Sequence, residues 1–136
     1  GKMVLHGAPV SLADVKIPIY NLATKEDHIA PALSVFEGSK SFGSNVTYVM
    51  GGSGHIAGVI NPPAKNKYQF WSGPKVAGNF SKWMEKAKIN EGSWWPHWQA
   101  WIEKDDDTRV PARTKLGGSK LKPLCDAPGE YVRERS

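Results

Sequence analysis

The sequence predicts an α/β protein organised around a parallel β-α-β unit, and three observations predict it. The run Lys16-Ile17-Pro18-Ile19-Tyr20-Asn21-Leu22-Ala23 is rich in β-branched and aromatic residues. From Ile29 the apolar period lengthens, with Ile29, Leu33 and Phe36 at i, i+4 and i+7. The stretch Asn45-Val46-Thr47-Tyr48-Val49-Met50 then returns to a strand composition and runs into Gly51-Gly52-Ser53-Gly54, which delivers His55. A helix between two strands is the crossover that joins parallel neighbours, almost always right-handed.

Taken in order, residues 1 to 15 hold turn signals at Gly7-Ala8-Pro9 and a short apolar alternation, with His6 isolated among them. Pro18 is tolerable in the first strand because it lies at the start, where the ladder can spare a donor. Thr24 to His28 is polar and loop-like; Pro31 suits a first helical turn, and Gly43 is a plausible terminator. After His55, Ile56 to Ile60 reads as a short helix stopped by Asn61-Pro62-Pro63. Residues 64 to 78 read as loop around Tyr68, Phe70 and Trp71. A helix is expected over Asn79 to Ile89, with Phe80, Trp83, Met84 and Ala87 on one face. Another follows Glu91-Gly92-Ser93 and carries Trp94, Trp95, Trp98, Trp101 and Ile102. Those tryptophans could bind polymer, sugar or lipid, but their helical spacing favours a packing face against the sheet. The domain reading is therefore a sheet-and-helix part over 1–102 and an extended tail over 103–136.

At 136 residues the chain fits one modest domain. No apolar run approaches the ~20 residues of a membrane span, and no signal-peptide pattern opens the sequence, so a soluble cytoplasmic protein is expected. The single cysteine, Cys125, leaves no internal disulfide framework. Net charge is +5, and 14 of the 18 Lys and Arg lie beyond residue 60. Arg109, Arg113, Lys115, Lys120 and Lys122 could attract phosphates or nucleic acid, yet no aromatic residue interleaves with them, which favours a solvated tail and no nucleic-acid partner.

Asp27 and His55 each lie just past the carboxyl end of a predicted parallel strand, where open sheets gather ligands and catalytic groups. Adjacent strands are about 4.8 Å apart, so the two loops can touch. A carboxylate that accepts from one imidazole nitrogen fixes the tautomer and leaves the other free to take a proton. On its own stretch His55 could equally cap the following segment; the pairing favours the dyad. Asp followed by His is the second half of the α/β-hydrolase order, in which the nucleophile comes earlier. The serine upstream of Asp27 is Ser11, which lacks the glycine-flanked turn, and Cys125 comes after the histidine in a Pro-flanked tail. No zinc spacing and no P-loop ending are present, so neither metal nor cofactor is expected.

Four blocks carry a resemblance: Lys25-Glu26-Asp27-His28-Ile29-Ala30-Pro31, the sixteen residues Gly52 to Lys67, Gly92-Ser93-Trp94-Trp95-Pro96, and Pro128-Gly129-Glu130-Tyr131-Val132. Together they resemble the C-terminal part of a polyhydroxyalkanoate synthase of the class I type. The resemblance implies the C-terminal portion of an α/β-hydrolase-like fold, in a cytoplasmic acyltransferase at the polyhydroxyalkanoate granule surface. Such an enzyme polymerises (R)-3-hydroxyacyl-CoA with release of coenzyme A, which makes a coenzyme A thioester the substrate and the granule a partner, and it works as a homodimer. It also implies that His55 is the general base and Asp27 its carboxylate partner, that His28 and Ile29 lie near the substrate channel, and that Ala57 bears on the acyl groups accepted. The family's cysteine nucleophile belongs N-terminal to Gly1, so this chain alone is expected to be inactive. Two alternatives stay open: an esterase or depolymerase of the same fold with an upstream serine, and a non-catalytic module that binds granules.

Overall fold

A computed structural model describes residues 2–118 and 120–135. The chain divides into two compact units, Gly1–Asp106 and Asp107–Ser136. In the first, β1 (Met3–Leu5) and β2 (Ala8–Val10) form an antiparallel hairpin with Met3 opposite Val10. His6 and Gly7 take positive φ (48° and 80°) in its two-residue turn, as the right-handed twist of a tight hairpin requires.

The main sheet has four strands in the order β3-β4-β5-β6: β3 (Ile19–Thr24), β4 (Val46–Gly51), β5 (Gln69–Ser72) and β6 (Lys88–Glu91). β3 and β4 are parallel, with Ile19 opposite Val46 and Thr24 opposite Gly51, and α1 (Ala32–Ser39) connects them. β4–β5 and β5–β6 are antiparallel, so the architecture is mixed α/β around one parallel pair. α2 (Phe80–Lys86) and α3 (Trp95–Ile102) complete the unit.

Four elements differ from the sequence reading, each for a physical reason. α1 begins at Ala32 rather than Ile29, because the Asp27 carboxylate takes the N–H groups of Ile29 and Ala30 and holds that stretch in a turn. Ile56 to Ile60 is a single turn, closed by Gly58 N→Gly54 O (2.9 Å) and Ile60 N→Ile56 O (2.8 Å), and Pro62 and Pro63 prevent its extension. Within the expected loop, Phe70 and Trp71 belong to β5, where strand alternation sends their rings to opposite faces of the sheet. The expected helix over 79–89 ends at Lys86, and Lys88–Glu91 pairs with β5 as β6.

One face of the sheet carries Ala23, Tyr48, Met50 and Trp71 against Phe36 of α1 and Trp83 of α2. Phe36, Tyr48 and Trp83 meet edge-on or tilted at 4.9 to 6.0 Å, the geometry aromatic quadrupoles favour. Their polar ends are satisfied inside this core: Tyr48 Oη donates to Ala32 O (2.9 Å) and Trp83 Nε1 to Pro74 O (2.9 Å). The opposite face presents Tyr20 and Phe70 to α3. Tyr20 meets Trp94 and Trp101 at 6.0 and 5.6 Å, and Phe70 meets His97 at 5.6 Å. The Tyr20 hydroxyl lies 2.9 Å from His97 Nδ1. Burial, and then the charge of Lys104, pull the His97 pKa down, which favours the neutral ring beside the hydroxyl. The tryptophan stripe is thus largely a packing face, although Trp98 is 42% exposed.

The second unit is mostly irregular, with one short 3-10 turn at Tyr131–Arg133 and close backbone bonds such as Gly118 N→Leu121 O (2.7 Å). Among the described residues no helix is long and apolar enough to cross a membrane.

Candidate active site

β3 and β4 end side by side, and their parallel ladder continues into the loops that follow. Lys25 N donates to Gly51 O (2.8 Å) and Glu26 N to Ser53 O (3.0 Å), so the two loops are tied by backbone before any side chain is considered. On its other side the β4 loop is held by Gly52 N→Gln69 O (2.7 Å). Ser53 takes φ 69°, an uncommon conformation for a residue with a Cβ, and it turns the chain sharply ahead of His55. The turn beyond is packed hard against the strands. A Cβ on Gly58 would lie 2.6 Å from both Gly52 O and Thr24 Cγ2, so glycine is the residue that fits.

This frame brings Asp27 and His55 together: His55 Nδ1 lies 2.8 Å from Asp27 Oδ2. The carboxylate is held on both oxygens. Oδ1 accepts from Ile29 N and Ala30 N, each at 2.9 Å, while Oδ2 also takes a longer contact of 3.4 Å from the Thr24 hydroxyl. The Ala30 N–H first, then the His55 hydrogen bond, lower the Asp27 pKa to about 2, so it is ionised at neutral pH. An ionised carboxylate can only accept, which places a proton on Nδ1 and, in the neutral form of the ring, leaves Nε2 with its lone pair. The Asp27 side chain is 8% exposed and that of His55 48%, so the acid is enclosed and the imidazole is partly open to solvent.

The other sequence candidates lie at the same rim. His28 and Ile29 are exposed immediately after Asp27, and Ala57 is half-buried in the turn two residues past His55. Ile29 and Ile56, at 66% and 73% exposure, leave apolar surface within two residues of Asp27 and of His55 in the chain. Sequence reasoning missed Thr24, whose hydroxyl reaches the carboxylate from three residues back, and the indoles of Trp94 and Trp95, which donate to carbonyls of the His55 turn. A threonine ending a strand is too common to signal its role, and a tryptophan stripe reveals packing but not where its N–H groups point. Among the described residues no cluster of three or more His, Cys, Asp or Glu could hold a metal ion.

No family model matches the chain. It is 65% identical over its whole length to the poly(3-hydroxyalkanoate) polymerase subunit PhaC of Rhizobium meliloti, covering 22% of that protein. It is 53% identical over its whole length to the poly(3-hydroxyalkanoate) polymerase of Methylorubrum extorquens, of which it also covers 22%. Against the corresponding subunit of Cupriavidus necator the identity is 36% over the whole chain, covering 23% of that protein. The chain therefore spans about a fifth of the length of the curated relatives it matches. Similar to them from its first residues to its last, this chain is a relative of the poly(3-hydroxyalkanoate) polymerases.

Proposed function

We propose that this chain supplies the carboxylate and the imidazole of a Cys-His-Asp triad in an acyltransferase that extends poly(3-hydroxyalkanoate), with the thiol on a part of the polymerase outside these 136 residues. The 2.8 Å contact between His55 Nδ1 and an ionised Asp27 carries the reading, since it leaves Nε2 as an accessible base. Similarity to polymerases over the whole chain supports the choice of acyl transfer. The order Asp27 then His55, each after a parallel strand, supports a late portion of an α/β-hydrolase-like sheet.

In the first half-reaction a thiol gives its proton to His55 Nε2 as the sulfur attacks the thioester carbonyl of a 3-hydroxyacyl-CoA. The tetrahedral oxyanion collapses, the bond to the coenzyme A sulfur breaks, and the imidazolium returns the proton to the departing thiolate. In the second half a 3-hydroxyl gives its proton to Nε2 and attacks the acyl-cysteine, and the released cysteine thiolate is reprotonated. Asp27 does not itself move a proton; it holds Nδ1–H and stabilises the imidazolium formed in each half. His28, Ile29 and Ala57 border the acyl path in this reading, and exposed Ile29 and Ile56 suit an aliphatic chain, at the surface of a polymer granule.

The test is coenzyme A release from 3-hydroxybutyryl-CoA by the polymerase containing this chain. His55→Ala should abolish turnover, whereas Cys125→Ser should leave it unchanged. Loss of turnover on Cys125→Ser, or its survival in His55→Ala, would contradict the proposal.

A further inference from the structure

We propose that Trp94 and Trp95 are positioning residues for His55, acting through the turn that follows it. This deepens the reading of His55 as the base and rests on it. His55 is half exposed, and its ring is tied to the fold through the bond from Nδ1 to Asp27, so packing alone cannot fix the imidazole; its backbone must be held. Two indoles at the N-terminal end of α3, Trp94 as its cap and Trp95 as its first residue, do this from almost forty residues later in the chain. Trp94 Nε1 lies 3.2 Å from both Gly58 O and Val59 O, and Trp95 Nε1 lies 3.0 Å from Val59 O.

An indole N–H can only donate, and both groups converge on the carbonyls that end the turn, Val59 O also accepting from Asn61 N (3.1 Å). The same turn meets the strands on its other side at Gly58, where no Cβ would fit. It is thus gripped from two sides, by β3 and β4 and by the start of α3. That start is itself anchored: buried Ser93 accepts from Trp95 N (3.1 Å), and one turn on His97 Nδ1 lies 2.9 Å from the Tyr20 hydroxyl. The donors therefore stand on a fixed element, and their bonds transmit its position to the base. Positioning matters steeply in catalysis, where a misplacement of 1 Å costs about a hundredfold in rate.

A positioning role differs from general support in what it moves. In Trp94→Phe, Trp95→Phe and the double variant, and in chains carrying 3-benzothienylalanine at both positions, which keeps the bicyclic shape and deletes the N–H, the imidazole nitrogens are followed by 1H–15N correlation at neutral pH. Trp83→Phe, which deletes an indole bond to Pro74 O in the core on the opposite face of the sheet, is the control. The expected result is loss of the single Nδ1–H tautomer of His55 in the double and isosteric variants and its retention in Trp83→Phe. In the whole polymerase the same variants should lower kcat by about tenfold with KM within twofold. An unchanged His55 signal in the isosteric variant overturns the proposal, as does a fall in thermal stability with that signal intact. If His55→Ala leaves turnover intact, the reading of His55 as base fails, while the imidazole spectra still decide whether the indoles place it.

Discussion

At the scale of single residues, the proposed chemistry depends on which nitrogen of His55 carries the proton, and the bond to Asp27 favours Nδ1. Asp27→Asn keeps an oxygen for the N–H groups of Ile29 and Ala30 but can offer an amide N–H to His55, which favours the wrong tautomer. Turnover in the polymerase should then fall by about 10⁴-fold with the fold retained, measured by coenzyme A release beside circular dichroism. The same carboxylate shapes acid stability. Its folded pKa of about 2 lies below the ordinary 3.8, so its contribution is fully present above 3.8 and is lost as pH falls from there towards 2. Urea midpoints of wild type and Asp27→Asn should therefore converge across that window; a gap of constant size would contradict it. This acid–imidazole pair was legible in the sequence because both residues follow recognisable strands. Thr24 was not, since a hydroxyl three residues upstream of an acid is ordinary loop chemistry until the turn is seen.

Elements were legible in proportion to their length and period. The six-residue strands β3 and β4 and the helix between them carry enough pattern to be found, and their parallel pairing followed from the crossover. β5 and β6 have four residues each, too few for an alternation to outweigh lysines, prolines and a helical neighbour. The start of α1 was misplaced because a side chain, not the local apolar period, takes the first amides. Two expectations belong at this scale. Tyr48→Phe deletes the buried bond that ties β4 to the first turn of α1, and should cost about 1 kcal/mol in chemical denaturation. Gly58→Ala pushes a methyl into Gly52 O and Thr24 Cγ2, and should cost about 1–3 kcal/mol while displacing the His55 turn. A stability equal to wild type in Gly58→Ala would show that the turn is not packed as described.

For the molecule as a whole, the proposal makes this chain half of a reaction centre. The isolated 136-residue protein should release no coenzyme A from 3-hydroxybutyryl-CoA above a His55→Ala control, read with a thiol reagent. The sheet-and-helix architecture was legible at this scale only through the parallel pair, and the antiparallel extension by β5 and β6 was hidden in the long stretch after Pro63. β3 occupies one border of its sheet, with β4 alone as its hydrogen-bonded neighbour among the described residues. Its outward row of amides and carbonyls over Ile19–Thr24 is thus a template on which another extended segment can align. A segment aligned there would brace the strand that ends three residues before Asp27, and with it the border from which the acid reaches the ring.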